Sequence, residues 1–348
     1  MKGPLQEREQ RLAMLQARLM DAVGELVTSQ DWKRALEFAA RFRSRSFSNT
    51  MLIYIQHQTA FAEGRVPEPT PTYVAGFKQW ASLDRHVDKG QTGYAILAPV
   101  TGRFASVTPD DRASWRRLAG GECPLPGEVV RSRMVGVRPA YVWDVSQTSG
   151  APLPEPPRPA LLRGEAPTGL WDGLADQVIA RGFDMRLVSN AVAIGGANGL
   201  TNYTTHEVSI RADMGDAARV KTLAHELGHV LLHGPDGDGW LLHRGIAEVE
   251  AESVALMVAA AHGLNTEDYT VPYVSSWASS VEGKTPVEVV QSTAERVRTT
   301  ALTILDRLST QQLGDGTPPG PDHRLLNQAP PGRSVETVSR DVAEVAGP

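Results

Sequence analysis

Two histidines stand four residues apart in the segment HELGH, residues 225–229, and enclose a glutamate. On an α-helix, positions i and i+4 lie on one face, so the imidazoles of His225 and His229 can bind the same metal ion. Glu226 then lies where a carboxylate can take a proton from a metal-bound water. The spacing therefore predicts a catalytic zinc site. The alternative is a surface helix that carries two solvated histidines.

A catalytic zinc ion binds three protein ligands and keeps one open position. The segment AEVEAESVA, residues 247–255, offers Glu248, Glu250 and Glu252 as the third ligand. Glu248 and Glu252 share a helical face with two alanines, whose small side chains let this helix approach the metal-binding helix. This pattern favours Glu248 as the ligand and Glu252 as a hydrogen-bond acceptor for a ligand imidazole. Glu250 as the ligand, or three solvated carboxylates, are the alternatives.

The chemistry that these residues predict is metal-assisted peptide hydrolysis. The metal polarises a water molecule and the scissile carbonyl, while Glu226 takes the proton from the water and delivers it to the leaving amine. Tyr203, His206 and His243 are candidates for stabilising the oxyanion. His233 continues the i, i+4 series, but ligands spread over two turns diverge, so we expect it at the negative end of the helix dipole.

Hydrophobic periodicity and turn signals predict the elements that position this site. In the second half, they predict helices over 170–181, 216–233, 245–262 and 285–308 and strands over 185–188 and 207–211. We expect the strand 207–211 to be an exposed edge that pairs with an extended peptide substrate. The first half mixes amphipathic helices with short β-branched and aromatic runs. The predicted fold class is therefore α+β.

Stretches rich in proline, serine and glycine divide the chain. They predict a first domain over residues 1–150, a linker over 151–168, a second domain over 169–312 and a disordered tail over 313–348. The most apolar run, residues 254–261, is too short to span a bilayer. The expectation is a cytoplasmic protein with no membrane partner.

The net charge of −5 is unevenly distributed along the 348 residues. Residues 1–150 carry 20 basic and 15 acidic side chains, a balance of +5, and the remainder carries 15 against 25, a balance of −10. Such asymmetry points to nucleic-acid or membrane contact by one part of the chain. The single cysteine, Cys123, excludes an internal disulfide framework.

The stretch KTLAHELGHVLLH followed by EVEAESVA resembles the ImmA/IrrE-like metallopeptidases, a gluzincin group. The resemblance implies a zincin-like second domain with a small sheet and an active-site helix. It also implies that Glu248, 19 residues after His229, completes the metal site and that Glu252 supports it. The implied enzyme is a zinc metalloendopeptidase that holds one Zn²⁺ per chain, with Mn²⁺ as the alternative ion, and cleaves a protein or peptide.

The first domain resembles the single-stranded-DNA-binding domain of ArdC-type antirestriction proteins. The resemblance is carried by RFRSRSFSNTMLI, by VAGFKQW and by the segment from Lys89 to GYAILAPV. It implies single-stranded DNA as a partner. It also implies that the protein acts in plasmid or phage defence against restriction, or acts on DNA-associated proteins of a plasmid or phage.

Basic and aromatic residues in the first domain are the candidate DNA contacts, since sequence-tolerant single-strand binding combines a basic groove with stacking platforms. The candidates are Arg45, Ser46, Asn49, Trp80 and Lys89. The alternative is that the aromatic residues form the core and the arginines a solvated helix end. At the level of function, the alternative is a DNA-binding protective protein whose metal site is structural or nearly inactive.

Overall fold

The computed structural model describes residues 4–26, 28–154, 164–233, 244–266, 278 and 283–319. Its α-helices are α1 (Pro4–Gly24), α2 (Ser29–Arg41), α3 (Phe47–Ala62), α4 (Phe77–Ser82), α5 (Leu170–Ile179), α6 (Asp216–Leu232), α7 (Arg244–Ala261) and α8 (Pro286–Leu305). Its strands are β1 (Val74–Gly76), β2 (Arg85–Val87), β3 (Tyr94–Ser106), β4 (Arg116–Arg117), β5 (Val129–Asp144), β6 (Thr148–Gly150), β7 (Asp184–Val188), β8 (Gly199–Asn202) and β9 (Glu207–Arg211). Helices and sheets occur in both halves, which confirms the α+β class.

The first half contains an antiparallel sheet in the order β1-β5-β3-β4. Strand β3 pairs with β5 over its full length, and a bulge lies between Val100 and Thr101. Helix α3 packs on β3 because two side-chain amides bind the strand's backbone. Asn49 pairs with both the N–H and the C=O of Leu97, and Gln56 pairs in the same way with Ala95.

The second half contains a three-stranded sheet in the order β7-β9-β8. Strand β9 is parallel to β7 and antiparallel to β8, so it is hydrogen-bonded on both sides. The prediction that 207–211 forms an exposed edge is therefore wrong. Its central residues Val208, Ser209 and Ile210 are buried, as expected for a central strand. The edge strands are β7 and β8, and β8 contacts α6.

The hydrophobic core is continuous between the two halves. Helix α7 lies at its centre, where Val254 and Leu256 are fully buried. Trp32 of α2 is equally buried, and its Nε1 donates to Ser253 Oγ of α7 at 3.0 Å. The described residues up to Pro318 accordingly belong to one compact unit. The domain boundaries predicted from composition, at residues 150, 168 and 312, stay a prediction.

The segments predicted as linker and tail are only partly described. Residues 155–163 of the linker and 320–348 of the tail lie outside the described residues. Residues 313–318 are bound to the fold, since the Leu313 N–H donates to Ala261 O at 2.7 Å and the Val74 N–H donates to Gly316 O at 2.9 Å. Among the helices that the structure describes, none has the length and apolarity needed to cross a membrane.

Candidate metal centre

Helix α6 places both histidines and the glutamate of HELGH beside one another. The Nε2 atoms of His225 and His229 are 3.1 Å apart. The opposite side of the helix is anchored in the core by Leu223 and Leu227, both fully buried. The apolar positions of α6 therefore fix the direction in which the two imidazoles point.

A close crossing of α6 and α7 brings the third candidate ligand to this pair. A Cβ atom added to Gly228 would lie 3.1 Å from Ala251 Cα, so the two helices are in contact at small residues. Glu248 Oε2 lies 3.5 Å from His225 Nε2 and 3.7 Å from His229 Nε2. The ligand atoms of all three residues lie within 4.8 Å of one another.

These separations fit a divalent ion. Donors at about 2.0–2.1 Å from a tetrahedral zinc ion lie about 3.3 Å from one another. The observed separations of 3.1, 3.5 and 3.7 Å are close to that value. Two imidazoles and one carboxylate form a donor set typical of catalytic zinc and leave a fourth position open.

Glu252 contacts the Nδ1 atom of His225 and is itself paired with Lys221. Glu252 Oε2 lies 3.1 Å from His225 Nδ1, and Glu252 Oε1 lies 3.1 Å from Lys221 Nζ. Burial lowers the pKa of His225, but its hydrogen bonds to Glu248 and Glu252 outweigh burial and raise the pKa to about 9. Imidazole binds metals in its neutral form, so metal binding requires release of that proton.

A second chain of contacts supports the other histidine. His229 Nδ1 lies 3.1 Å from His233 Nδ1, and His233 Nε2 lies 3.0 Å from Glu250 Oε2. Arg296 Nη1 lies 3.1 Å from Glu250 Oε1. Glu250, an alternative ligand in the sequence, therefore contacts His233 and Arg296. His233, at the end of α6 as expected, contacts a candidate ligand.

Glu226 is held against the edge strand β8. Thr201 Oγ1 donates to Glu226 Oε2 at 2.6 Å, and the glutamate is only 6% exposed. A Cβ atom added to Gly199 would lie 2.6 Å from Glu226 Oε1, so a glycine is required for this close approach. The carboxylate is thus fixed against β8 rather than free in solvent.

The candidates for oxyanion stabilisation are placed differently from one another. Tyr203 donates its hydroxyl to His229 O at 2.9 Å, and burial raises the pKa of this phenol. His206 lies against the ring of Phe183, with a centroid separation of 5.0 Å. His243 lies outside the described residues.

The five candidate DNA contacts of the first half are mostly engaged within the fold. Trp80 is fully buried and donates Nε1 to Trp143 O at 3.1 Å, which corrects its prediction as a stacking platform. Asn49 uses both polar atoms of its amide on β3. Its side chain bridges α3 and β3 and is therefore engaged within the fold.

The remaining three candidates differ in exposure. Arg45 donates Nη2 to Val74 O at 2.5 Å, and burial lowers the pKa of its guanidinium. Ser46 is the N-cap of α3 and accepts from the Asn49 N–H. Lys89 is exposed in a turn and remains available for contact.

Residues 8–122 match the model of the N-terminal domain of anti-restriction factor ArdC. The resemblance to ArdC-type proteins is confirmed for these residues, which run from α1 past β4. The match ends before α6, so it does not extend to the metallopeptidase resemblance.

Two solved structures of the antirestriction ArdC protein from the R388 plasmid are similar to the chain. The metal-free structure is 19% identical and covers 76% of this chain and 84% of that chain, with a TM-score of 0.46. The Mn(II)-bound structure is 18% identical and covers 76% of this chain and 88% of that chain, with a TM-score of 0.42. No curated protein matches the sequence.

Sequence reasoning missed two features next to the predicted sites. Gly199 and Thr201 of β8 contact the carboxylate of Glu226, and the sequence analysis assigned neither residue to the site. In the ArdC-like part, Asn49 and Gln56 stand seven residues apart on α3 and bind residues two apart on β3. The signal in the sequence was the seven-residue spacing of Asn49 and Gln56, which places both amides on one face of a helix.

Proposed function

We propose that the protein is an antirestriction protein of the ArdC type that binds single-stranded DNA and holds one divalent metal ion. The match of residues 8–122 to the ArdC N-terminal domain carries this proposal. The excess of positive charge over residues 1–150 supports a polyanionic partner. Because such a protein acts on DNA inside the cell, a cytoplasmic location is part of the proposal.

The metal site of this proposal consists of His225, His229 and Glu248. Their mutual distances support a zinc ion, and imidazole and carboxylate ligands also suit Mn²⁺. Glu252 and His233 would hold the two imidazoles in orientation by contacting the ring nitrogens that face away from the ion.

A second candidate function is peptide hydrolysis by a gluzincin-like second part of the chain. The position of Glu226, buried, bound by Thr201 and directly following His225 on α6, favours it. A divalent ion at this site would lower the pKa of a bound water towards neutrality. Glu226 would then accept the water proton and donate it to the leaving amine, and β8 would offer its free edge to an extended peptide.

The deciding experiment compares wild type with Glu226→Gln in a transfer assay that measures survival of unmodified DNA in a restricting host. If antirestriction needs no hydrolysis, the variant protects DNA as well as wild type does. A loss of protection in Glu226→Gln, with metal content and single-strand binding unchanged, would show that antirestriction depends on hydrolysis. Absence of protection and of single-strand binding in wild type would overturn the ArdC-type proposal.

A further inference from the structure

We infer that the outer part of the β3–β5 pair binds single-stranded nucleic acid through one of its faces. We call this surface the arginine–tryptophan face and define it by Phe104, Trp115, Arg117, Arg131 and Arg133. The inference rests on the proposed function, to which it adds a binding surface that includes none of the contacts predicted from the sequence.

Strand register places the members of this face on one side of the sheet. Phe104 of β3 is directly opposite Arg131 of β5 and Arg117 of β4. Directly opposed residues on neighbouring strands project from the same face. Arg133 follows Arg131 by two positions, and alternation along a strand returns it to that face.

Guanidinium groups stack on the indole of this face. The Cζ atoms of Arg131 and Arg133 each lie 4.8 Å from the ring centroid of Trp115, and Arg133 Cζ lies 5.7 Å from that of Phe104. Trp115 is fixed by the bond from its Nε1 to Pro109 O at 3.3 Å. Unpaired bases stack on aromatic rings and on guanidinium planes, so this arrangement extends naturally to a nucleobase.

The positive charge of the face is not neutralised within the hairpin. The nearby acids Glu122 and Glu128 both bind Arg116, at 2.5 and 2.7 Å. Within the described ranges, no carboxylate forms an ion pair with the three arginines of the face, and all three are exposed. Exposed arginines without a carboxylate partner can bind the phosphate groups of a nucleic acid.

One exposed apolar side chain lies on the same side of the hairpin. Val129 is 44% exposed and precedes Arg131 by two positions, so alternation along β5 places it on the arginine–tryptophan face. Unneutralised arginines and two aromatic rings therefore dominate this face, and phosphates and unpaired bases of a single strand match both.

The first test measures binding of the full-length protein to a labelled single-stranded oligonucleotide over a range of salt concentrations. The variant is Arg131→Gln/Arg133→Gln, and the matched control is Arg181→Gln/Arg307→Gln, which removes two exposed arginines elsewhere. Loss of two phosphate contacts reduces the slope of log K against log salt by about 1.4 and weakens binding about tenfold or more. The control variant keeps the wild-type slope.

The second test separates stacking from charge. Trp115→Leu removes the aromatic ring, and Trp115→Phe keeps one. We expect Trp115→Leu to weaken single-strand binding at least about fivefold and Trp115→Phe to restore most of it, since base stacking needs an aromatic face. Binding to a duplex of the same sequence, whose bases are not free to stack, changes little in either variant.

The outcomes distinguish this inference from the proposed function. If wild type binds single strands and the arginine variant binds equally well with an unchanged salt slope, the arginine–tryptophan face is overturned and the ArdC-type proposal stands. If wild type binds no single strand even at low salt, the proposed function fails. Unchanged circular dichroism and melting temperature of each variant exclude misfolding as the cause of lost binding.

Discussion

The metal centre and the arginine–tryptophan face both concentrate charged side chains, but they differ in how those charges are balanced. At the metal centre, Glu250 is 1% exposed and contacts both His233 and Arg296. On the arginine–tryptophan face, Arg131 and Arg133 are exposed and stack on a ring without a carboxylate partner among the described residues. Burial with internal partners fixes geometry for a small ion, whereas exposed unbalanced charge suits a large polyanion.

The largest effect that we expect is on the free energy of unfolding. It tests whether Trp80 belongs to the core. Trp80→Ala removes a fully buried ring and should lower the free energy of unfolding by about 3–5 kcal/mol. Lys89→Ala, at an exposed position, should change it by less than about 0.5 kcal/mol. Urea denaturation measures both. An unchanged free energy of unfolding in Trp80→Ala would contradict the burial of Trp80 and make it a candidate for base stacking again.

The second prediction separates ligand from support at the metal centre. Glu248→Gln should weaken Zn²⁺ binding by more than about 100-fold, while Glu250→Gln, its matched control on the same helix, should weaken it about tenfold through His233. Competition with a chelating dye measures both affinities. The reverse order would make Glu250 the ligand and contradict the assignment of the cluster.

A smaller effect is expected where α6 and α7 touch. The added methyl of Gly228→Ala approaches Ala251 Cα to 3.1 Å and should destabilise the protein by about 1–2 kcal/mol, with a weaker zinc affinity as the helices separate. Gly120→Ala, where an added Cβ meets nothing within 4 Å, is the control. Thermal melting with and without zinc measures the effect. Equal melting temperatures for the two variants would show that the crossing tolerates a wider separation.

The smallest effect concerns a buried histidine outside the metal centre. Burial lowers the pKa of His262, whose ring bonds Val258 O and Thr310 Oγ1. Because the folded-state pKa lies below the unfolded value of about 6.5, its contribution to stability is complete above that pH and is lost as the pH falls. Denaturation of zinc-saturated protein between pH 7 and 5 measures this loss. His262→Gln should show a shallower decline, and an unchanged decline would assign the acid sensitivity to other groups.

The clustering of His225, His229 and Glu248 was predictable because much of its information is local. His225 and His229 lie one helical turn apart, and the alanines beside Glu248 indicated a close helix crossing, which Gly228 and Ala251 form. The partners of Glu226 were not predictable, since Thr201 reaches it from a strand 25 residues away. The edge assignment of 207–211 was wrong because strand order depends on pairing between distant segments.

The candidate DNA contacts illustrate the opposite case. Residue type alone cannot distinguish a surface amide from one that binds a strand, and Asn49 bonds Leu97, 48 residues away. Trp80 is likewise compatible with a core or a stacking role until its burial is known. The arginine–tryptophan face was missed because Trp115 and Arg131 become neighbours only through the pairing of β3 with β4 and β5.

The most direct test of the central claim, that His225, His229 and Glu248 of α6 and α7 form a divalent metal site, is the zinc content of full-length protein. Wild type and His225→Gln/His229→Gln are incubated with Zn²⁺, freed of excess metal by gel filtration and analysed by atomic emission. We predict about one zinc ion per wild-type chain and a large loss in the variant. A wild-type protein that retains no zinc, and no manganese in a parallel incubation, would contradict the account.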